Sequence, residues 1–185
     1  MNVHYNGKLY SRMDLRAAAA AAIATKAEYD DVKEGDVLPP TPLVVDVIYL
    51  GIMPRVVMPA TPLAESIEYN HIAAGAMLPV TPLAKIVTYH GIVTGTTLPA
   101  TPLVERVQYY HIGAGVELPN TPLVKDVMYH SIDRGAVLPH TPLAEKVEYN
   151  YIAKGVVLPA TPLATTVTKC GINDGVVLPA TPLIK

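Results

Sequence analysis

Leu143-Ala-Glu-Lys-Val147-Glu-Tyr149-Asn-Tyr-Ile152-Ala-Lys-Gly155-Val-Val-Leu158-Pro-Ala-Thr161-Pro162 is one copy of a unit that organises nearly the whole chain. Its template, L-x-x-x-V-x-Y-x-x-I-x-x-G-x-x-L-P-x-T-P, spans twenty residues. The closing Leu-Pro-x-Thr-Pro-Leu returns at Leu38, Met58 (Met in place of Leu), Leu78, Leu98, Leu118, Leu138, Leu158 and Leu178. Seven copies begin at Leu43, a partial copy (Tyr29, Val32, Gly35, Leu38) precedes them, and Leu183-Ile-Lys opens another. Self-similarity at a fixed period of this length marks an array of units that bury their apolar residues against one another.

Within the unit, V-x-Y alternates: Val107 and Tyr109 face one way, Arg106, Gln108 and Tyr110 the other, which is a strand signature. The I-x-x-G that follows, as in Asp133-Arg-Gly135 or Asn173-Asp-Gly175, suits a tight turn closed by a residue at positive φ, then a short second strand into Leu. One copy, Met53-Pro-Arg55, puts Arg where the others have Gly. Both Leu98 and Thr101 precede proline, which pushes them away from the α region, and Pro99 and Pro102 fix their own φ. Leu-Pro-x-Thr-Pro is therefore a stiff corner between strands. A helical unit is the alternative, with Thr as N-cap and Pro in the first turn. Ala164-Thr-Thr-Val-Thr-Lys-Cys-Gly-Ile, β-branched and carrying an interior Gly, is a poor helix, and all copies must share one conformation to stack. The expected fold is all-β, an elongated β-solenoid or β-hairpin fibre, with a helical or strand-plus-helix solenoid as alternative.

Residues 1–28 differ in composition and read as a head or cap before the repeats of residues 29–185. Val3 to Tyr10 reads as a hairpin turning at Asn6-Gly7. Residues 12–26, with six consecutive alanines from Ala17 to Ala22, read as a helix with Ser11 as a possible N-cap. The apolar run is about half the length a membrane crossing needs, and Asp14 weakens a secretion-signal reading.

Two further regularities tie successive units together. The third template position alternates in sign through Glu65, Lys85, Glu105, Lys125 and Glu145, so stacked units would place opposite charges side by side. The ninth position alternates small with large: Gly51, His71, Gly91, His111, Ser131, Tyr151, Gly171. Together they define a super-unit of about forty residues, in which adjacent coils interlock large against small or odd and even units face opposite sides.

Composition removes several functions. A net charge of -2 provides no basic face for nucleic acid or anionic lipid. Trp and Phe are absent, leaving large apolar burial to Leu, Val, the Ile column (Ile72, Ile92, Ile112, Ile132, Ile152) and the Tyr column (Tyr29, Tyr49, Tyr69, Tyr89, Tyr109, Tyr129, Tyr149). A packed ladder is favoured for the tyrosines over a stacking surface for sugar or quaternary amine. His71, His90, His111 and His130 fall at neighbouring template positions, and imidazoles in a row can hold a metal or an anion. Their spacing matches no known ligand motif, and a structural or surface role is favoured. No nucleophile, base and orienter share a recognisable spacing and no phosphate loop is present. Cys170 stands at a variable position. No enzyme activity and no cofactor or metal are expected.

Leu-Pro-x-Thr resembles the sortase sorting signal, but Pro follows Thr here and no hydrophobic tail exists, so cell-wall sorting is not expected. The Leu-x-Pro-Leu turns alternating with short strands over residues 29–185 resemble the shafts of trimeric viral and bacteriophage fibres. That resemblance implies a compact N-terminal piece attached to a particle and a place on a virion or outside the cell rather than in the cytoplasm. V-x-Y-x-x-I-x-x-G-x-x-L is also similar to the hairpin arrays of choline-binding wall modules, without their Trp residues. L-x-x-L-P-x-x-P is similar to bacterial leucine-rich repeats, without their Asn. The expected function is a non-catalytic, self-assembling fibre, filament or particle-decoration subunit, trimeric or head to tail, anchored through residues 1–28. Leu178, Leu183 and Ile184 would form the assembly end. The alternative is a binding array that presents Tyr and His to carbohydrate.

Overall fold

Val107, Tyr109 and Ile112 explain the architecture between them. All three are sealed from solvent, although strict alternation from Val107 and Tyr109 would turn Ile112 outward. The phase is reset at His111, whose φ is 55°. One left-handed residue shifts the alternation by one place and bends the strand, so Tyr109 and Ile112 both reach the same interior. The reset recurs at this template position, with φ between 49° and 64° at Asp31, Gly51, His71, Gly91, Ser131, Tyr151 and Gly171.

In the computed structural model, residues 2–5, 8–10, 24–33, 36, 44–56, 64–78, 84–96, 98, 104–118, 123–138, 143–158 and 164–177 are described. They form a parallel β-solenoid, one coil for each twenty-residue repeat. The strands are β1 (Asn2–Tyr5), β2 (Lys8–Tyr10), β3 (Ala24–Asp30), β4 (Val44–Ile52), β5 (Ala64–Ile72), β6 (Ala84–Ile92), β7 (Val104–Ile112), β8 (Leu123–Ile132), β9 (Leu143–Ile152) and β10 (Ala164–Ile172). From β3 to β10 every neighbouring pair is parallel, and each residue lies beside its equivalent in the next repeat: Tyr49 by Tyr69, Tyr69 by Tyr89, Tyr89 by Tyr109. At about 4.8 Å per step the seven steps from β3 to β10 climb roughly 34 Å. The parallel order excludes an antiparallel hairpin in each unit, and no helix occurs among the described residues.

The turn after each strand forms as its residue types demand. Ala76 donates its backbone N–H to the Ala73 carbonyl at 3.2 Å and Ala136 to that of Asp133 at 3.3 Å, with Gly75 and Gly135 at φ 77° and 78°. Arg55 takes the same place at φ 61°, a region that costs a residue with a Cβ about 1 to 2 kcal/mol. Arg55→Gly relieves that strain but frees the unfolded chain. A net gain of about 0.5 to 1 kcal/mol is expected, read as a raised urea midpoint at unchanged slope. The expected second strand is reduced to single-residue bridges, Glu117 to Val137, Val137 to Val157 and Val157 to Val177.

The interior is one continuous column. From β4 to β9 the Val (Ile67 in β5), Tyr and Ile of each strand meet the residue after the turn (Val56, Ala76, Val116, Ala136, Val156) and the motif Leu (Leu78, Leu98, Leu118, Leu138, Leu158), all buried. Thr96 places a hydroxyl in this column and donates it to the Val93 carbonyl at 2.8 Å, so the polar atom is satisfied. The Pro-x-Thr-Pro corners lie outside the described residues.

At the N-terminal end, β1 and β2 form the expected antiparallel hairpin, and β1 lies antiparallel on β3, with Val3 beside Tyr29 and Tyr5 beside Ala27. The helix expected over residues 12–26 is corrected at its end. Ala24, Thr25 and Lys26 belong to β3, with Ala24 beside Val44 and Lys26 beside Asp46. Pairing with β4 outweighs the local preference of these residues. The rest of that segment lies outside the described residues.

Candidate functional site

The repeat stacks equivalent residues, so each template position becomes a ladder along the rod. Inside, adjacent tyrosine rings from Tyr29 to Tyr149 lie 5.0–5.3 Å apart and within 16° of parallel. The ring spacing follows the strand spacing. Their exposure is 0–2%, so these rings offer no face to a ligand. Burial among neighbouring phenols pushes the Tyr89 hydroxyl well above its ordinary pKa. Ile72, Ile92, Ile112, Ile132 and Ile152 line the same interior.

On the outside, Lys85 Nζ meets Glu65 Oε1 at 2.7 Å. The Glu65 hydrogen bond and charge raise the Lys85 pKa, and Glu105 on the next coil adds to them. Lys125 and Glu145 continue the column as exposed side chains. One position along, Arg106 Nη2 pairs with Asp126 Oδ2 at 3.2 Å. This second charge column carries the same twenty-residue spacing, which was the signal available to find it.

The alternating ninth position resolves as large over small. A Cβ added to Gly91 would stand 3.4 Å from His71 Nδ1, and one added to Gly171 would stand 2.9 Å from Tyr151 Cδ1. His71 and Tyr151 therefore fold over the glycine of the next coil.

His71, His90, His111 and His130 form a zigzag strip on β5 to β8 at this bend. The His90 and Tyr110 rings stack at 4.6 Å, and the His111 and His130 rings meet at 6.3 Å edge to face. Tyr151 packs edge-on to His130 at 5.1 Å. Among the described residues no group of three or more His, Cys, Asp or Glu is placed to hold a metal ion. An open hollow of about 370 Å³ lies beyond the strip, bordered by Ser131, Asp133, Tyr151 and Asn173.

His90 is partly buried at the centre of this strip. Burial lowers its pKa, the Glu68 carboxylate at 3.7 Å opposes that shift, and His111 and His71 reinforce it. With a folded pKa below the unfolded value near 6.5, the unfolded chain binds the proton first. Stability is therefore full above about pH 6.5 and falls as pH drops through the folded pKa. His90→Gln is expected to flatten this decline. Urea titrations from neutral pH down to about pH 5 check it, and an undiminished decline in the variant would assign the effect elsewhere.

The two ends of the stack differ. At β3 the hairpin covers the outer edge. At β10 no strand among the described residues pairs with the outer edge, and Val167, Ile172 and Val176 are only partly buried. Their equivalents one coil earlier, Val147, Ile152 and Val156, are at most 1% exposed. Lys169 stands here in register with Tyr149, ending the tyrosine column. Sequence reasoning passed over this residue, although the missing Tyr was visible. Leu178, Leu183 and Ile184 lie outside the described residues. Comparison with protein families, with curated proteins and with solved structures finds no match for this chain.

Proposed function

We propose that the chain is a structural, self-assembling subunit of a fibre, filament or particle-decoration layer and works without catalysis. The observation that carries this reading is the outer edge of β10. Among the described residues no strand pairs with its outer side, and Val167, Ile172 and Val176 are half covered. A parallel sheet edge of this kind is a template for another chain. A shaft of the trimeric viral or bacteriophage type, attached through residues 1–28 and standing on a virion or cell surface, is the finer form of the proposal. Light scattering combined with small-angle scattering over a concentration series tests it. The expected result is a mass above that of one chain, growing with concentration, and a globular monomer at every accessible concentration would overturn it.

The binding-array reading has one supporting observation, the surface rings of His90, Tyr110, His130 and Tyr151. Retention on a carbohydrate matrix that Tyr110→Ala and Tyr151→Ala abolish, with association intact, would favour it.

A further inference from the structure

We propose that His111 and His130 bind one divalent transition-metal ion of the imidazole-preferring class, zinc, copper or nickel, which clips β7 to β8 on the outside of the solenoid. This goes beyond the self-assembly reading and does not rest on it.

The two imidazoles meet because neighbouring template positions converge at the bend. His111 is the left-handed residue of β7, with φ 55°, and His130 on β8 is in register with Tyr110, the residue before it. Their ring centroids are 6.3 Å apart and the ring planes cross at 78°. Two rings on one metal, with metal–nitrogen bonds of about 2.0–2.1 Å, have centroids about 5 to 6.4 Å apart as the angle at the metal opens from tetrahedral to straight. The pair stands just inside the wide limit. A movement of about 1 Å by His111, through side-chain rotation, gives the tetrahedral angle. His111 is exposed and can make that movement, while His130 is half-buried.

What holds His130 also prepares it. Ser131 Oγ lies 3.0 Å from His130 Nδ1, Tyr151 packs edge-on at 5.1 Å and Tyr110 lies tilted at 5.6 Å. With Nδ1–H donating to the Ser131 hydroxyl, the lone pair of the ring is at Nε2, where a metal can take it. An imidazole fixed through its other nitrogen is the usual form of a metal ligand. Among the described residues no third His, Cys, Asp or Glu joins the pair, so water completes the coordination. Nitrogen ligands of this kind select zinc, copper or nickel over magnesium and calcium, which take oxygen.

The forty-residue super-unit repeats the pair. His71 and His90 occupy the same two positions two coils earlier. There His90 Nε2 faces the Glu68 carboxylate at 3.7 Å, and the three side chains are not placed to share an ion. In the later pair the residue equivalent to Glu68 is the uncharged Gln108. The metal is therefore expected at His111 and His130, and the earlier pair is the comparison.

Zinc chloride titrated into the full chain, followed by calorimetry and by imidazole-nitrogen NMR, tests the site. Cys170→Ser, His4→Gln and His140→Gln are present throughout, which removes the thiol and leaves the four histidines of the strip. One zinc per chain is expected, with nitrogen shifts at His111 and His130. His111→Asn, which suits the left-handed backbone, and His130→Gln should each weaken binding about a hundredfold or more, and Ser131→Gly about tenfold, as for a lost supporting hydrogen bond. His71→Asn should leave the affinity unchanged. Zinc should also raise the urea midpoint of the parent chain and not that of His130→Gln. The nitrogen shifts are read with the strip intact, so they keep the test open if a variant unfolds. No binding at millimolar zinc would overturn the proposal. So would an affinity that survives both ligand substitutions, shifts confined to His71 and His90, or one zinc bridging two chains.

Discussion

Tyr109→Ala is expected to destabilise the chain by about 3 to 5 kcal/mol, the range for losing a fully buried aromatic ring. The ring lies between Tyr89 at 5.2 Å and Tyr129 at 5.3 Å and is 1% exposed. Strand pairing holds the neighbouring rings at fixed height, so they cannot close over the gap, and the cavity persists. In a stack where each coil contacts only its neighbours, a lesion at the middle coil also weakens the coupling between the two halves. Urea unfolding should show both effects, a lower midpoint and a shallower or divided transition. Tyr109→Phe keeps the stacked ring and should lose far less than Tyr109→Ala. Equal losses for Ala and Phe would mean that stacking contributes little.

The second large effect is positional. Val107→Asp puts a carboxylate at a site with no solvent exposure, where no cation of the column faces it, and a cost of at least about 4 kcal/mol is expected. Val167→Asp makes the same chemical change at the same template position on β10. There the side chain is half covered, the carboxylate keeps part of its water and Lys169 is two residues away, so a loss of about 1 kcal/mol is expected. Thermal unfolding of the pair checks the contrast. Comparable losses would mean that the β10 edge is covered in the isolated chain.

Much of the interior was legible because repetition turns one residue into a ladder. Val, Tyr and Ile at fixed positions identified the core, and Glu65 beside Lys85 followed from sign alternation alone. The direction of the strands was not legible. V-x-Y followed by a turn fits a hairpin and a coil equally, and the choice is made at the ninth position, where the chain turns left-handed. Glycine at Gly51, Gly91 and Gly171 hints at that turn, but His71, His111, Ser131 and Tyr151 adopt it with ordinary side chains. At His71 and Tyr151 the packing of the side chain over the glycine of the next coil offsets part of the strain. The alternation of small and large was visible, whereas its cause lay in backbone geometry. Ala24 to Lys26 were misread because a helix-forming run borders them and the strand partner, β4, stands twenty residues on.

Two places depart from the period: the hairpin reverses strand direction beside β3, and Lys169 follows Tyr149 in the interior column.

A distance between two spin labels decides whether each twenty residues make one parallel coil. With Cys170→Ser, labels at Glu65 and Thr165 stand at one template position, on β5 and β10, five strand steps apart. Coils stacked at about 4.8 Å place the two backbone sites roughly 24 Å apart. Two antiparallel strands per repeat would double the separation to about 48 Å. A narrow distribution centred near the shorter distance is expected of the stacked coils, and one centred near the longer distance would refute them.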